Sequence, residues 1–169
     1  LCTVQIARDL GRGRRSAVGI HGFDRGGLIV DAGKRSPEDI GDLAAHCPVP
    51  DAWRFVVAWP RDAGGLAGDR ELAAFQKLAP YPPELTERLS RILLTEILPA
   101  TGSSDFDAFA AAVEEYGRLV GEAFLQLQGG IVHAASRPLY EHLSRRGISG
   151  VAQTSWGPAL AIVRRSESE

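Results

Sequence analysis

The chain has 169 residues, 44% hydrophobic and 24% charged, an ordinary globular balance that excludes collagen-like and wholly disordered classes. Nineteen lysines and arginines face 21 aspartates and glutamates for a formal net charge of −2, so no overall basic field points to nucleic acid or a membrane surface, and any anion site must be local. Cys2 and Cys47 lack the spacing of a disulfide framework or a zinc site, and no apolar run approaches the roughly 20 residues of a membrane span.

A reducing, cytoplasmic setting is the expectation. The absence of methionine and the start at Leu1 lead us to read the sequence as a piece of a longer protein.

In chain order, "RDLGRGRRSAVGIHGFDRGG" is expected to open as a loop rich in Gly and Arg, and "LIVDAG" reads as a strand after Gly26-Gly27. Ser36 as cap, Pro37 at the first helical position and Asp39 three residues after the cap predict a short helix in "SPEDIGDLAAHC". "AWRFVVAWP" reads as a strand stopped by Pro60, and the glycine-rich "RDAGGLAGDRE" leads into a short helix to about Leu78 and a hinge at "PYPP".

Leu85, Leu89, Ile92, Leu93 and Ile97 recur at helical spacing, with Pro99 expected to end that helix. Phe106, Phe109, Val113, Gly117, Val120, Phe124 and Leu127 predict one long helix from Asp105 to Gln128, capped by Ser104 and stopped by Gly129-Gly130. Pro138 starts another helix, which Gly147 caps. "GISGVAQT" and "PALAIVRR" read as two strands joined by the turn "SWG", ahead of the charged tail "RRSESE". Strands and helices mix without βαβ regularity, which favours an α+β fold.

Two motifs carry chemistry. Gly11 and Gly13 let backbone N–H groups approach a ligand, Arg14 and Arg15 offer guanidinium forks to phosphate oxygens, and Ser16 adds a donor; the same residues also make a solvated basic loop. In "AQTSWGP", Gln153, Thr154, Ser155 and Trp156 form a polar and aromatic turn. A turn tryptophan ordinarily plugs a core, and the sharper alternative is a ring that stacks on a ligand. His133 lies just past the long helix and His21 within the first motif, while His46 and His142 have no distinguishing context. Asp24 and Asp31 flank the first strand and are potential Mg²⁺ carboxylates, with surface solvation as the plainer role.

Taken together, "GRGRRSAVGIHGFDRGGLIVDAGKR", "FLQLQGGIVHAASRPLYEHLSRRG" and "SGVAQTSWGPALAIV" resemble the β-ribofuranosylaminobenzene 5′-phosphate synthase family of the wider GHMP kinase superfamily. The likeness runs in order from about Leu10 to Val163. The family typically shows Gly-Gln-Ser-Ser-Trp-Gly-Pro at the turn, so Ala152 and Thr154 are departures.

The resemblance implies a GHMP kinase-like fold. Residues 1–52 would be the end of its N-terminal, ribosomal S5 domain 2-like domain, and 53–169 most of its ferredoxin-like C-terminal domain. It implies a transferase that joins phosphoribosyl pyrophosphate to 4-aminobenzoate or 4-hydroxybenzoate, releasing pyrophosphate and CO₂, on the route to tetrahydromethanopterin.

On this resemblance Gly13, Arg14, Arg15 and Ser16 would bind phosphate, and Gln153, Ser155 and Trp156 the aromatic acid. His133 or His21 would move protons. Mg²⁺ is expected with the pyrophosphate, without ATP, and whether protein carboxylates or the pyrophosphate hold it stays open, no metal-ligating residue being assigned. Partners are expected to be small molecules, with no nucleic acid or membrane, and a homodimer stays open.

The alternatives are an ATP-dependent GHMP kinase or a catalytically silent ligand-binding module. The kinases' Ser-Gly-Ile-Asp run corresponds here to Ser16-Ala17-Val18-Gly19, and glycine cannot act as the acid or base.

Overall fold

The computed structural model describes residues 2–65 and 68–166. Leu66 and Ala67 of the glycine-rich loop, and the tail from Glu167, lie outside the described residues. The chain divides after Pro50 into two compact units. Both are α+β, and the sheets are small and antiparallel. Among the described residues no helix is long and apolar enough to cross a membrane.

The first unit contains helices α1 (Thr3–Asp9) and α2 (Val18–Arg25) and strands β1 (Leu28–Asp31) and β2 (Leu43–Cys47). The expected loop is thus partly helical. Gly19 and Gly22 lower the helical propensity of α2, which concealed it in the sequence, but its first N–H groups are satisfied from outside. Asp31 Oδ2 accepts from the Ala17 N–H at 2.6 Å, and Ser16 Oγ accepts from the Val18 N–H at 3.2 Å.

Asp31 also accepts from the Ser16 hydroxyl and, through Oδ1, from the Gly33 N–H. Burial alone raises its pKa, but the bonds from Ala17, Gly33 and Ser16 outweigh that and hold the carboxyl below its ordinary 3.8.

The helix expected from Ser36 does not form. The Ser36 N–H donates to Asp39 Oδ2 at 3.0 Å and the Asp39 N–H to the Ser36 carbonyl at 3.1 Å, so the capping pair closes only one turn. Leu43–Cys47 pairs instead with β1, placing Leu28 opposite Cys47 and Val30 opposite Ala45, and these cross-strand bonds compete with further helix.

The second unit is built on a three-stranded sheet in the order β3 (Trp53–Ala58), β5 (Leu160–Arg165), β4 (Val151–Gln153). Strand alternation divides its side chains between two faces. On one face, Trp53 and Phe55 meet Phe109 of helix α6 (Phe106–Ala123). There α6 approaches β4 through a small-residue stripe. A Cβ on Gly117 would come within 2.7 Å of the Ala152 Cβ, and Glu114 accepts from the Gly150 N–H at 2.9 Å.

On the other face Val151, Leu160 and Ile162 pack with Val132, Ile131 and Tyr140. Tyr140 belongs to helix α8 (Arg137–Arg145).

Helices α3 (Gly68–Gln76), α4 (Pro83–Ile92) and α5 (Leu98–Gly102) precede α6. Pro99 does not end its helix. A π turn over Leu93–Ile97 joins α4 to α5 and leaves Pro99 in the first turn of α5, where a proline's missing N–H is tolerated. The α6 cap is Asp105, which accepts from the Ala108 N–H at 3.1 Å, while the predicted cap Ser104 has φ 59° and lies one residue outside. The predicted single helix breaks at Phe124, and a short α7 (Leu125–Gln128) follows, ended by left-handed Gly129. Gly147 has the expected positive φ past α8.

Two results check this packing. In α6 a Cβ at Gly121 would overlap the Ile131 carbonyl oxygen, whereas Gly19 in α2 has open space around it. Gly121→Ala is expected to cost about 1–3 kcal/mol and Gly19→Ala to gain about 0.5–1 kcal/mol, read from urea midpoints. Asp31→Asn should destabilise at neutral pH. Because the native carboxyl titrates below its unfolded value, its contribution is full above that value and is lost as pH falls through the native one. The gap in thermal midpoint between wild type and variant should therefore narrow below about pH 4; a constant gap would mean that the charge contributes nothing.

Candidate functional site

In the second unit, two of the sequence blocks meet. Period-two alternation turns Gln153, like Val151, toward the face that carries residues 131–133. Its Oε1 accepts from the His133 backbone N–H at 2.6 Å, and its Nε2 donates to Gln128 Oε1 at 3.0 Å and to the Ser155 carbonyl at 2.9 Å. Gln128 Nε2 donates in turn to the carbonyls of Gly130 and Ile131, each at 2.9 Å. Each donor meets an acceptor, and flipping the Gln153 amide would set N–H against N–H at His133. Gln128, at the end of α7, is therefore a partner that the sequence reading mentioned without assigning a role.

The hairpin loop is longer than the predicted "SWG" turn. It runs from Thr154 to Ala159, with the Thr154 N–H donating to the Ala159 carbonyl at 3.0 Å and the Gly157 N–H to the Thr154 carbonyl at 2.8 Å. The Gly157–Pro158 bond is cis. A Cβ on Gly157 would press on Gln153 Oε1 at 2.7 Å and on the His133 Cβ at 3.0 Å, so this close approach requires glycine. Ser136, itself buried, donates its hydroxyl to the Pro158 carbonyl.

Trp156 turns inward and is 5% exposed. Its ring lies 4.7 Å from Phe124 and 4.8 Å from Phe75, and its Nε1–H has no acceptor among the described residues. At the surface are Thr154, whose hydroxyl donates to the Ala159 carbonyl at 3.2 Å, the Ser155 side chain and the partly exposed His133 ring. His133 Nδ1 accepts from the Ala135 N–H at 3.2 Å, which places the ring hydrogen on Nε2 as a donor.

In the first unit, an open cleft of about 400 Å³ is lined by Arg8, Arg12, Gly13, Arg14, Lys34, Glu38, Asp39 and Ile40, among others. Arg8 lies near the end of α1, where the Arg12 N–H donates to the Ala7 carbonyl at 2.8 Å and brings the chain around Gly11, at φ 64°. Gly13 has φ 73°, and a Cβ there would meet Ile20 at 2.9 Å and Ile40 at 3.2 Å. Lys34 Nζ ties two walls together, donating to the carbonyls of Arg14 at 2.7 Å and Pro37 at 3.1 Å.

Gly13 and Arg14 thus line the cleft, and Arg8, Arg12 and Lys34 join them without having been predicted. Ser16 is committed to Asp31 and to the start of α2, and Arg15 is not among the lining residues. Both added arginines lay in the Gly- and Arg-rich stretch, but only the turn after α1, with Gly11 at φ 64°, brings them to the cleft. His21 Nε2 donates to the Gly41 carbonyl at 2.8 Å, leaving Nδ1 as its acceptor.

Among the described residues no three acidic, His or Cys side chains converge as metal ligands. Asp31 spends both carboxylate oxygens on Ser16, Ala17 and Gly33, and Asp24 accepts from the Thr3 hydroxyl. Among the described residues, Asp24 and Asp31 thus serve as hydrogen-bond acceptors within the protein.

No family model matches the chain. It is 31% identical over 171 residues to the beta-ribofuranosylphenol 5′-phosphate synthase of Methanothermobacter thermautotrophicus, an alignment covering 94% of this chain and 51% of that protein. Proteins of the same name from Archaeoglobus fulgidus and Methanocaldococcus jannaschii are 35% and 26% identical, covering 73% and 92% of this chain and 47% and 50% of those proteins. The chain spans about half the length of these relatives. Over the part of the sequence that it spans, the chain is therefore similar to the beta-ribofuranosylphenol 5′-phosphate synthases.

Proposed function

We propose that the protein to which this chain belongs is a pentosyltransferase that joins phosphoribosyl pyrophosphate to 4-hydroxybenzoate, releasing CO₂ and pyrophosphate. The observation that carries the reading is the relationship, along 94% of the chain, to a protein named for a ribofuranosylphenol phosphate. A phenol product retains the ring hydroxyl, and loss of the carboxyl group opposite it leaves the carbon that bonds ribose. Hence 4-hydroxybenzoate is preferred to 4-aminobenzoate, and the product would serve the assembly of tetrahydromethanopterin.

The bond changes balance without an added oxidant or reductant. The bond from ribose C1 to pyrophosphate breaks with its electron pair leaving on the pyrophosphate, and C1 bonds to the ring carbon bearing the carboxylate. Loss of CO₂ then returns an electron pair to the ring. The phenol proton loosens during attack and is restored afterwards.

Ser155 Oγ and His133 Nε2–H are the donors suited to the aromatic acid, and His21 Nδ1 is an acceptor suited to a proton. Gly13 and Arg14 would receive phosphate, as the sequence motif suggests, with Arg15 and Ser16 beside them in the chain. Gln153 contributes by fixing the His133 backbone, and Trp156 by anchoring the turn in the core. Magnesium, where it takes part, would be carried by the pyrophosphate oxygens.

The same reading treats 1–52 and 53–169 as parts of the two domains of a GHMP kinase-like fold in a cytoplasmic enzyme of small molecules. The kinase alternative has no acid or base at Gly19.

The test is to supply the complete enzyme with phosphoribosyl pyrophosphate and carboxyl-labelled 4-hydroxybenzoate. Labelled CO₂ and pyrophosphate are expected in equal amounts; consumption of ATP on an alcohol without CO₂ release would rule the reading out. His133→Gln is expected to lower kcat about 100-fold. Trp156→Ala should cost about 3–5 kcal/mol of stability through the lost packing on Phe75 and Phe124. Unchanged stability with a raised KM for the aromatic acid would assign Trp156 to the substrate instead.

A further inference from the structure

We propose that the first-unit cleft is a diphosphate site, and that Arg8 and Arg12 are ligands for the pyrophosphate end of a phosphorylated sugar. The proposal rests on the functional reading above for its choice of sugar, while the cleft itself stands on its own geometry.

Charge is the first argument. The lining brings four cationic side chains, Arg8, Arg12, Arg14 and Lys34, against two carboxylates, Glu38 and Asp39, in a chain whose formal net charge is −2. Asp39 already accepts from the Ser36 N–H, and Lys34 is shared between two carbonyls. By contrast the guanidinium groups of Arg8, Arg12 and Arg14 form no ion pair with a carboxylate among the described residues. Unlike Arg88, Arg118 and Arg165, which pair with carboxylates elsewhere, these three forks gather around one cleft.

Shape is the second argument. Gly13 brings the backbone against Ile20 and Ile40 where a side chain would not fit, leaving the Arg12 and Arg14 stems on either side of it. A cleft of about 400 Å³ falls in the size range of small-ligand sites. Glu38 on the rim disfavours an extended polyanion. A compact ligand with three or more negative charges matches three forks better than inorganic phosphate does, since guanidinium pairs bind phosphate oxygens bidentately.

In the proposed reaction, negative charge grows on the pyrophosphate as the C1–O bond breaks. Fixed guanidinium groups are suited to stabilise that charge.

Titration of the 169-residue chain with inorganic pyrophosphate by calorimetry tests the site directly. Pyrophosphate should bind more tightly than inorganic phosphate and at least as tightly as ATP. Arg8→Gln and Arg12→Gln should each weaken it about tenfold or more, the scale of one charge-assisted hydrogen bond. Arg35→Gln removes a cation that pairs with Asp42 outside the cleft and should leave affinity within about twofold.

Unchanged affinity in both cleft variants, an equal loss in Arg35→Gln, or no pyrophosphate binding would overturn the site. Tighter binding of ATP would overturn the sugar-diphosphate assignment. Labelled CO₂ release by the complete enzyme is scored separately: pyrophosphate binding with the expected losses but no CO₂ would sink the functional reading and leave the cleft standing.

Discussion

Gln153 commits both of its amide hydrogens and its carbonyl oxygen within the protein, to Gln128, to Ser155 and to the His133 backbone, and the arrangement of the second-unit site follows from that commitment. One side chain joins the end of α7, the segment after Gly130 and the hairpin loop. A glutamate in its place would set a carboxylate against the Gln128 and Ser155 oxygens, acceptor facing acceptor. A leucine would leave the His133 N–H unpaired, at a cost of about 1–3 kcal/mol if water could not reach it. The amide thus specifies one geometry rather than merely filling space.

The polar knot needs apolar support, because a six-residue loop does not hold its shape by hydrogen bonds alone. Trp156 supplies it by packing on Phe124, the residue where α6 gives way to α7, and on Phe75 of α3. The same Phe124 therefore shapes the route to Gln128 and the wall beneath the turn. In the first unit Asp31 has the comparable role. Its bonds to Ser16, Ala17 and Gly33 join the start of α2 to the end of β1, and a Cβ at Gly41 would overlap its Oδ1. A residue that might have offered a metal ligand is instead a structural acceptor.

Periodic apolar stripes and glycine stops made α6, the end at Gly129, α8 and the final hairpin legible in the sequence, because each rests on local chemistry. The misreadings arose where distant partners decided the outcome. Helix α2 depends on acceptors supplied by Asp31 and Ser16. The Ser36 turn yields to the pairing of β2 with β1, and Pro99 is absorbed by a π turn that no propensity announces. Part of the site was visible for the same reason: Gln153, His133 and Arg14 lie in compact motifs. Arg8, Arg12 and Gln128 become meaningful only when the chain folds them toward those motifs, and inward burial of Trp156 was the plainer of two readings that the sequence left open.

The two sets of groups differ in electrical character, and that difference bears on the proposed reaction. Around the cleft the available groups are permanent cations, which suit a leaving pyrophosphate that gains charge. Around the turn they are neutral donors, a serine hydroxyl and an imidazole whose Nδ1 is already an acceptor. A full cation against the aromatic carboxylate would draw electron density from the ring carbon that must attack ribose and would oppose the departure of CO₂, which requires the carboxylate pair to flow back into the ring. Weak neutral donors can orient the acid without that penalty. A pentosyl transfer by carbon attack therefore favours placing strong positive charge at the phosphates and withholding it from the ring.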